Sequence, residues 1–190
     1  MENRKIRVGI THGDINGVGY EVILKTFSDP TMLELCTPVV YGSPKVAAYH
    51  RKAMEIQTSF SIENSAEEVQ DGRVNVVNCI EEELKVELTK PTPEAGKAAL
   101  AALERALADY REGLFDVLVT APSNKHTIQS DAIHIPGHTE YNEERVGEGQ
   151  KALMILLKGD FRVALVTGQV PGRDIDGAVT KARRMEKMES

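Results

Sequence analysis

Four short segments hold the side chains best suited to binding a small anionic ligand. The first is Thr11-His12-Gly13-Asp14-Ile15-Asn16-Gly17-Val18-Gly19-Tyr20-Glu21. Glycines such as Gly17 and Gly19 let a backbone approach a ligand, and the free amides of a following helix attract negative charge. The glycine spacing is not that of a G-x-G-x-x-G dinucleotide fingerprint. A tight strand-to-helix turn explains the segment equally well, with Asp14 capping that turn instead of meeting a ligand. The second segment, Thr120-Ala121-Pro122-Ser123-Asn124-Lys125-His126, pairs an amide with a cation, which suits a phosphate or carboxylate. The third, Pro136-Gly137-His138-Thr139-Glu140, offers an imidazole, a hydroxyl and amides at a helix start. Its plainer reading makes Thr139 a helix cap and Glu140 a first-turn charge. The fourth, Val166-Thr167-Gly168-Gln169-Val170-Pro171-Gly172-Arg173-Asp174, carries Arg173 as an anion contact, or as half of a weak surface ion pair with Asp174 or Asp176.

These segments need a scaffold, and the intervening pattern supplies one. Short β-branched runs at Ile6–Ile10, Val39–Tyr41, Val74–Val77 and Val117–Thr120 read as buried strands. Helical spacing follows Gly17 and again follows Pro44. The longest helix is expected from Pro93 to Arg111, capped by Thr92 and stopped by Gly113. Its inner face would carry Ala95, Ala99, Leu103, Ala106, Leu107 and Tyr110. Strand-helix-strand order predicts an α/β fold, a mostly parallel sheet flanked by helices. The second segment then follows a central strand, where open sheets bind ligands beyond the strand ends. Past Pro122 the character changes. A short helix near Glu140–Val146, an antiparallel pair (153–157 and 163–166) turning through Lys158–Phe161, and a charged helical tail are expected. A boundary near Pro122 divides the chain into a first α/β portion, 1–122, and the start of a second, 123–190, with the ligand loops.

With 190 residues, 41% of them hydrophobic, the chain can bury a core, and its net charge of -6 leaves no basic face for nucleic acid. Cys36 and Cys79 read as separate free thiols, since a disulfide framework needs more cysteines. The start has no apolar signal core and no run reaches membrane length, so a soluble, cytoplasmic protein is expected.

The four segments, in this order, resemble the 4-hydroxythreonine-4-phosphate dehydrogenase family of pyridoxal phosphate (vitamin B6) biosynthesis. Its T-x-G-D-P-A-G-I-G-P-E pattern meets Thr11–Glu21, where Ile15 and Tyr20 replace two prolines. T-A-P-I-N-K meets Thr120–Lys125 with Ser123 substituted, P-G-H-T-E meets Pro136–Glu140 throughout, and T-T-H-L-P-L-R-D meets Thr167–Asp174 with departures. The resemblance implies two α/β domains like those of isocitrate and isopropylmalate dehydrogenases, with the site between them. It implies NAD-dependent oxidation and decarboxylation of 4-phosphohydroxy-L-threonine. A divalent metal, zinc or magnesium, would polarise the reacting oxygen. His138 and Thr139 inherit substrate contact, and Asn124, Lys125 and Arg173 complete the expected substrate set, with Asp14, Gly17 and Gly19 in a loop nearby. No catalytic residue is assigned.

One departure bears on the metal. Gln169 stands where the family has its first metal histidine, and a neutral amide is a far poorer zinc ligand than imidazole. The other two metal histidines belong to the family's carboxyl-terminal half, which this sequence does not show. His12, His50, His126 and His134 match no metal position. The expectation is therefore the amino-terminal part of the family, incomplete for catalysis alone and holding no metal, with NAD and metal binding possible only by family analogy. The competing readings are a non-catalytic truncated or redesigned α/β scaffold and, with no distinctive residues behind it, an acyl-phosphate transferase relative. Uncovered sheet edges and apolar faces predict a homo-oligomer, simplest as a homodimer.

Overall fold

A computed structural model describes residues 5–128, 138–168 and 170–189. The chain forms two compact units, Met1–Ile135 and Pro136–Ser190. In the first, strands β1 (Ile6–Thr11), β2 (Cys36–Gly42), β3 (Phe60–Glu63), β4 (Val74–Asn78) and β5 (Val117–Thr120) form one sheet in the order β3-β4-β2-β1-β5. Every neighbouring pair is parallel, with Thr11 level with both Tyr41 and Thr120.

Helices α1 (Gly19–Thr26), α2 (Pro30–Leu35), α3 (Pro44–Ala53), α4 (Pro93–Arg111) and α5 (Lys125–Ile128) connect the strands. Local chemistry sets several helix starts. Asp29, Ser43 and Thr92 each accept a bond from a backbone N–H in the first turn, and a proline follows each cap. The central strands of the sheet are buried on both faces. Ile10, Val40, Val74 and Val76 pack with Tyr20, Ile23, Val46 and Ala47 on one side. Val39, Tyr41 and Val77 pack with Ala102, Ala106 and Phe115 on the other. That two-sided burial explains why Val39, Val40 and Tyr41 on β2 and Val76 and Val77 on β4 are consecutive apolar residues, all buried.

Several expectations need correction. β5 is an edge strand here, not a central one, and its alternate residues Val117 and Val119 are 46% and 49% exposed, because only β1 flanks it. Tyr110 is 39% exposed and reaches the core only through its ring contact with Phe115, while Leu100, Ala102 and Asp109 are buried on α4. Within the first compact unit, Met1–Ile135, α5 packs on α4 and so stays with the parallel sheet. Periodicity also missed α2, β3 and α5, each too short to establish a period.

The second unit contains α6 (His138–Val146), a hairpin of β6 (Ile155–Lys158) and β7 (Phe161–Ala164), α7 (Ile175–Ala178) and α8 (Lys181–Glu189). Lys158 pairs directly with Phe161, so the turn is only Gly159-Asp160, with Gly159 at φ +57°. Both strands are exposed along their length. Among the described residues no helix is long and apolar enough to cross a membrane.

Candidate functional site

The first unit gathers its ligand-type loops at the carboxyl ends of β1 and β5. These strands are parallel neighbours whose chains leave in different directions: α1 packs beside α3, whereas α5 lies on α4. Such a divergence beyond the strand ends is the usual ligand position in an open α/β sheet. The two loops touch. The backbone N–H of Asp14 donates to the Pro122 carbonyl at 2.9 Å. Gly13 has φ +72°, and a Cβ there would lie 2.3 Å from that same oxygen. Only glycine permits both the conformation and the approach.

Within the first loop, Asp14 does what the plainer reading expected: its Oδ1 accepts from the Asn16 N–H at 2.9 Å, forming an Asx turn. Gly19 permits a second close approach, since a Cβ would meet the His12 carbonyl at 2.0 Å. Gly17 has ordinary space around it. The two proline departures are absorbed by the core. Ile15 is fully buried and its carbonyl accepts from His50 Nε2 at 2.7 Å. Tyr20 is stacked between His12 and His50 at centroid distances of 5.3 and 5.6 Å, and its hydroxyl bonds both the N–H and the carbonyl of Ser43. Among the described residues neither ring nitrogen of His12 has a partner within normal hydrogen-bond geometry. Burial pushes that imidazole down to about 4, while the nearby backbone of Ala98 and Gly13 offsets part of the effect.

Asn16 was missed as a site organiser. It is buried, donates through Nδ2 to the Lys90 carbonyl (2.9 Å) and Thr92 Oγ1 (3.2 Å), and accepts from the Glu87 N–H at 2.8 Å. It thereby ties the segment before α4 to the β1–α1 loop. An asparagine where the resembling pattern has alanine was the available signal.

In the second loop, Asn124 and Lys125 divide the work. Asn124 Oδ1 caps α5 by accepting from the His126 N–H at 3.0 Å, and its carbonyl accepts from the N–H groups of Thr127 and Ile128. Lys125, at the first position of α5, is exposed and takes part in no hydrogen bond or ion pair among the described residues. A depression of about 770 Å³ lined by Arg51, Lys52, Glu55 and Thr58 lies between α3 and the start of β3, at the opposite, amino-terminal edge of the sheet, and includes none of these residues.

In the second unit, His138 opens α6 and is half-buried. Thr139 lies within the first turn instead of capping it and borders a depression of about 390 Å³ with Asn142, Glu143 and Lys151. Arg173, in the turn Gly172–Asp174, is exposed and sits 3.7 Å from Asp174, the weak surface pair that the sequence had offered as an alternative. His134, Pro136, Gly137 and Gln169 lie outside the described residues. Among the described residues no three His, Cys, Asp or Glu side chains converge as a metal site. Cys36 and Cys79 are free, and burial pushes the Cys79 thiol up to about 12, far from a reactive thiolate.

A family model described as pyridoxal phosphate biosynthetic protein PdxA matches residues 34–190. The chain belongs to this family. It is 68% identical over 188 residues to a 4-hydroxythreonine-4-phosphate dehydrogenase of Bacteroides thetaiotaomicron, covering 99% of this chain and 52% of the relative. It is 30% identical over 182 residues to the enzyme of that name from Aquifex aeolicus, covering 96% of this chain and 55% of the relative. A crystal structure of a 4-hydroxythreonine-4-phosphate dehydrogenase from Burkholderia phymatum superimposes with a TM-score of 0.84 at 25% identity, covering 98% of this chain and 57% of that one. The chain spans about half the length of the curated relatives it matches. The PdxA match begins after the first ligand loop, whereas the Bacteroides relative covers almost all of the chain.

Proposed function

We propose that this chain is the substrate-binding, amino-terminal portion of an NAD-dependent dehydrogenase that oxidises and decarboxylates 4-phosphohydroxy-L-threonine in vitamin B6 biosynthesis. The observation that carries the reading is the exposed Lys125 on the segment after β5, whose Pro122 end is seated against the Asp14 turn. A fixed ammonium there attracts an anionic substrate group. In the second unit, His138, Thr139 and Arg173 offer an imidazole, a hydroxyl and a guanidinium, side chains suited by the family resemblance to polar groups of such a substrate. NAD, when bound, supplies the hydride acceptor; the residues of this chain bind and orient. The names of the relatives support the substrate class.

Purified chain should bind 4-phosphohydroxy-L-threonine in a titration yet form no NADH with NAD and zinc. Lys125→Ala should weaken that binding at least tenfold. NADH formation by this chain alone, abolished by a chelator, would overturn the view that these residues bind without completing the reaction. A second reading, a non-catalytic scaffold of the family, is favoured by Gln169 in place of the expected histidine. Metal retained at one equivalent after purification and dialysis would count against it.

The unit Pro136–Ser190 also supports self-association. Leu157 and Phe161 are 67% and 71% exposed, and Ile155, Leu156 and Val163 are open on the same hairpin. Apolar strands uncovered in this way seek a partner, and a second copy, as a homodimer, satisfies both. A monomer mass by light scattering across a wide concentration range would refute this.

A further inference from the structure

We propose that Gly13 and Gly96 are positioning residues, a two-point clamp that seats segment 121–128 and so fixes Lys125 for anion binding; this rests on the substrate reading of Lys125 above. At the near end, Gly13 lies against the Pro122 and Ala121 carbonyls, where a Cβ would stand at 2.3 and 2.9 Å, and the Asp14 N–H bonds the first of them. At the far end, Gly96 occupies the first turn of α4. A Cβ there would stand 1.7 Å from the Thr127 oxygen, 2.3 Å from its carbonyl carbon and 3.0 Å from the Ile128 nitrogen.

All these atoms are backbone, so no rotamer change relieves the contact. The α5 turn must move if a methyl group is added. Glycine near a helix start costs about 1 kcal/mol relative to alanine, so its use there indicates a demand for close approach. Between the two ends, the Asn124 cap holds the turn through bonds to His126, Thr127 and Ile128. Lys125 is therefore set by three constraints, none of which involves its own side chain. Moving Thr127 out to an ordinary contact displaces α5 by about 1.5–2 Å, and a misplacement of about 1 Å is already enough to cost on the order of 100-fold where groups must be oriented.

The test uses the full chain, inorganic phosphate and 4-phosphohydroxy-L-threonine as probes, and backbone amide signals of Lys125 and His126 as the readout. Gly96→Ala should raise both dissociation constants at least tenfold and lower the thermal midpoint only modestly, since the helical preference of alanine offsets part of the cost of displacing α5. It should also speed amide exchange at Thr127 and Ile128 at least tenfold. If Lys125→Ala abolishes the response to both probes while Gly96→Ala binds as the parent does, the clamp is wrong. If Lys125→Ala binds as the parent does, or the parent binds neither probe, the substrate reading of Lys125 fails. The exchange rates then decide the clamp alone: unchanged protection at Thr127 and Ile128 in Gly96→Ala overturns it.

Discussion

Acid should destabilise the first unit through His12. The imidazole is buried among Tyr20, Gly42 and Ala98, and burial pushes it down from 6.5 to about 4 against the smaller opposing effect of the Ala98 and Gly13 backbone. The unfolded chain takes up a proton near its ordinary value, and the folded chain only near the lowered one. Above about pH 7 both forms are neutral and the difference vanishes. Between those values the unfolded state holds more protons, so stability is lost as the pH is lowered. At about 1.4 kcal/mol per pH unit the loss reaches about 2 kcal/mol at pH 5 and about 3 kcal/mol at pH 4. For a domain of this size, 2 kcal/mol corresponds to about 4–8 °C in the thermal midpoint. Urea unfolding at pH 8 and pH 5 would measure it, comparing the parent with His12→Leu. Asp29, Glu87 and Glu143 also have lowered values, through hydrogen bonds with Thr31, Lys85 and Lys151. Their acid losses are common to both proteins and cancel in the comparison. The parent should lose about 2 kcal/mol more than the variant between the two pH values. Equal losses would mean that His12 is not held neutral by burial, and the account of the stack would fail.

Asn16→Ala removes three side-chain bonds to Glu87, Lys90 and Thr92 and leaves the Glu87 N–H without its acceptor, so it should cost about 2–3 kcal/mol and speed amide exchange at Glu87, measured by hydrogen-exchange NMR. Asp109→Ala strands the buried Tyr41 hydroxyl and frees Arg105 and should cost about 2–3 kcal/mol in urea unfolding, whereas Tyr41→Phe should cost about 1 kcal/mol. Leu157→Lys, on the exposed hairpin, should leave the thermal midpoint of the first unit within about 1 °C while shifting the light-scattering mass toward the monomer.

The α/β class and the helices α3 and α4 were readable because their signals are local. Ser43-Pro44 and Thr92-Pro93 announce helix starts, and the spacing of Ala95, Ala99, Leu103 and Ala106 defines an inner face. The loop motifs were readable as strand-end segments for the same reason, and their order pointed to the PdxA family before any coordinates. What remained hidden depends on distant partners. Val117–Thr120 has the composition of a buried strand, and only sheet order makes it an edge. Gly96 looks like a defect in a helix until α5 is placed upon it, and Asn16 looks like a turn residue until the segment before α4 folds back to it. Asn124 and Lys125 were equal candidates in sequence. The fold commits one to capping α5 and leaves the other exposed, because hydrogen-bond capacity is assigned by neighbours in space, whereas caps and periodicity are set by neighbours along the chain.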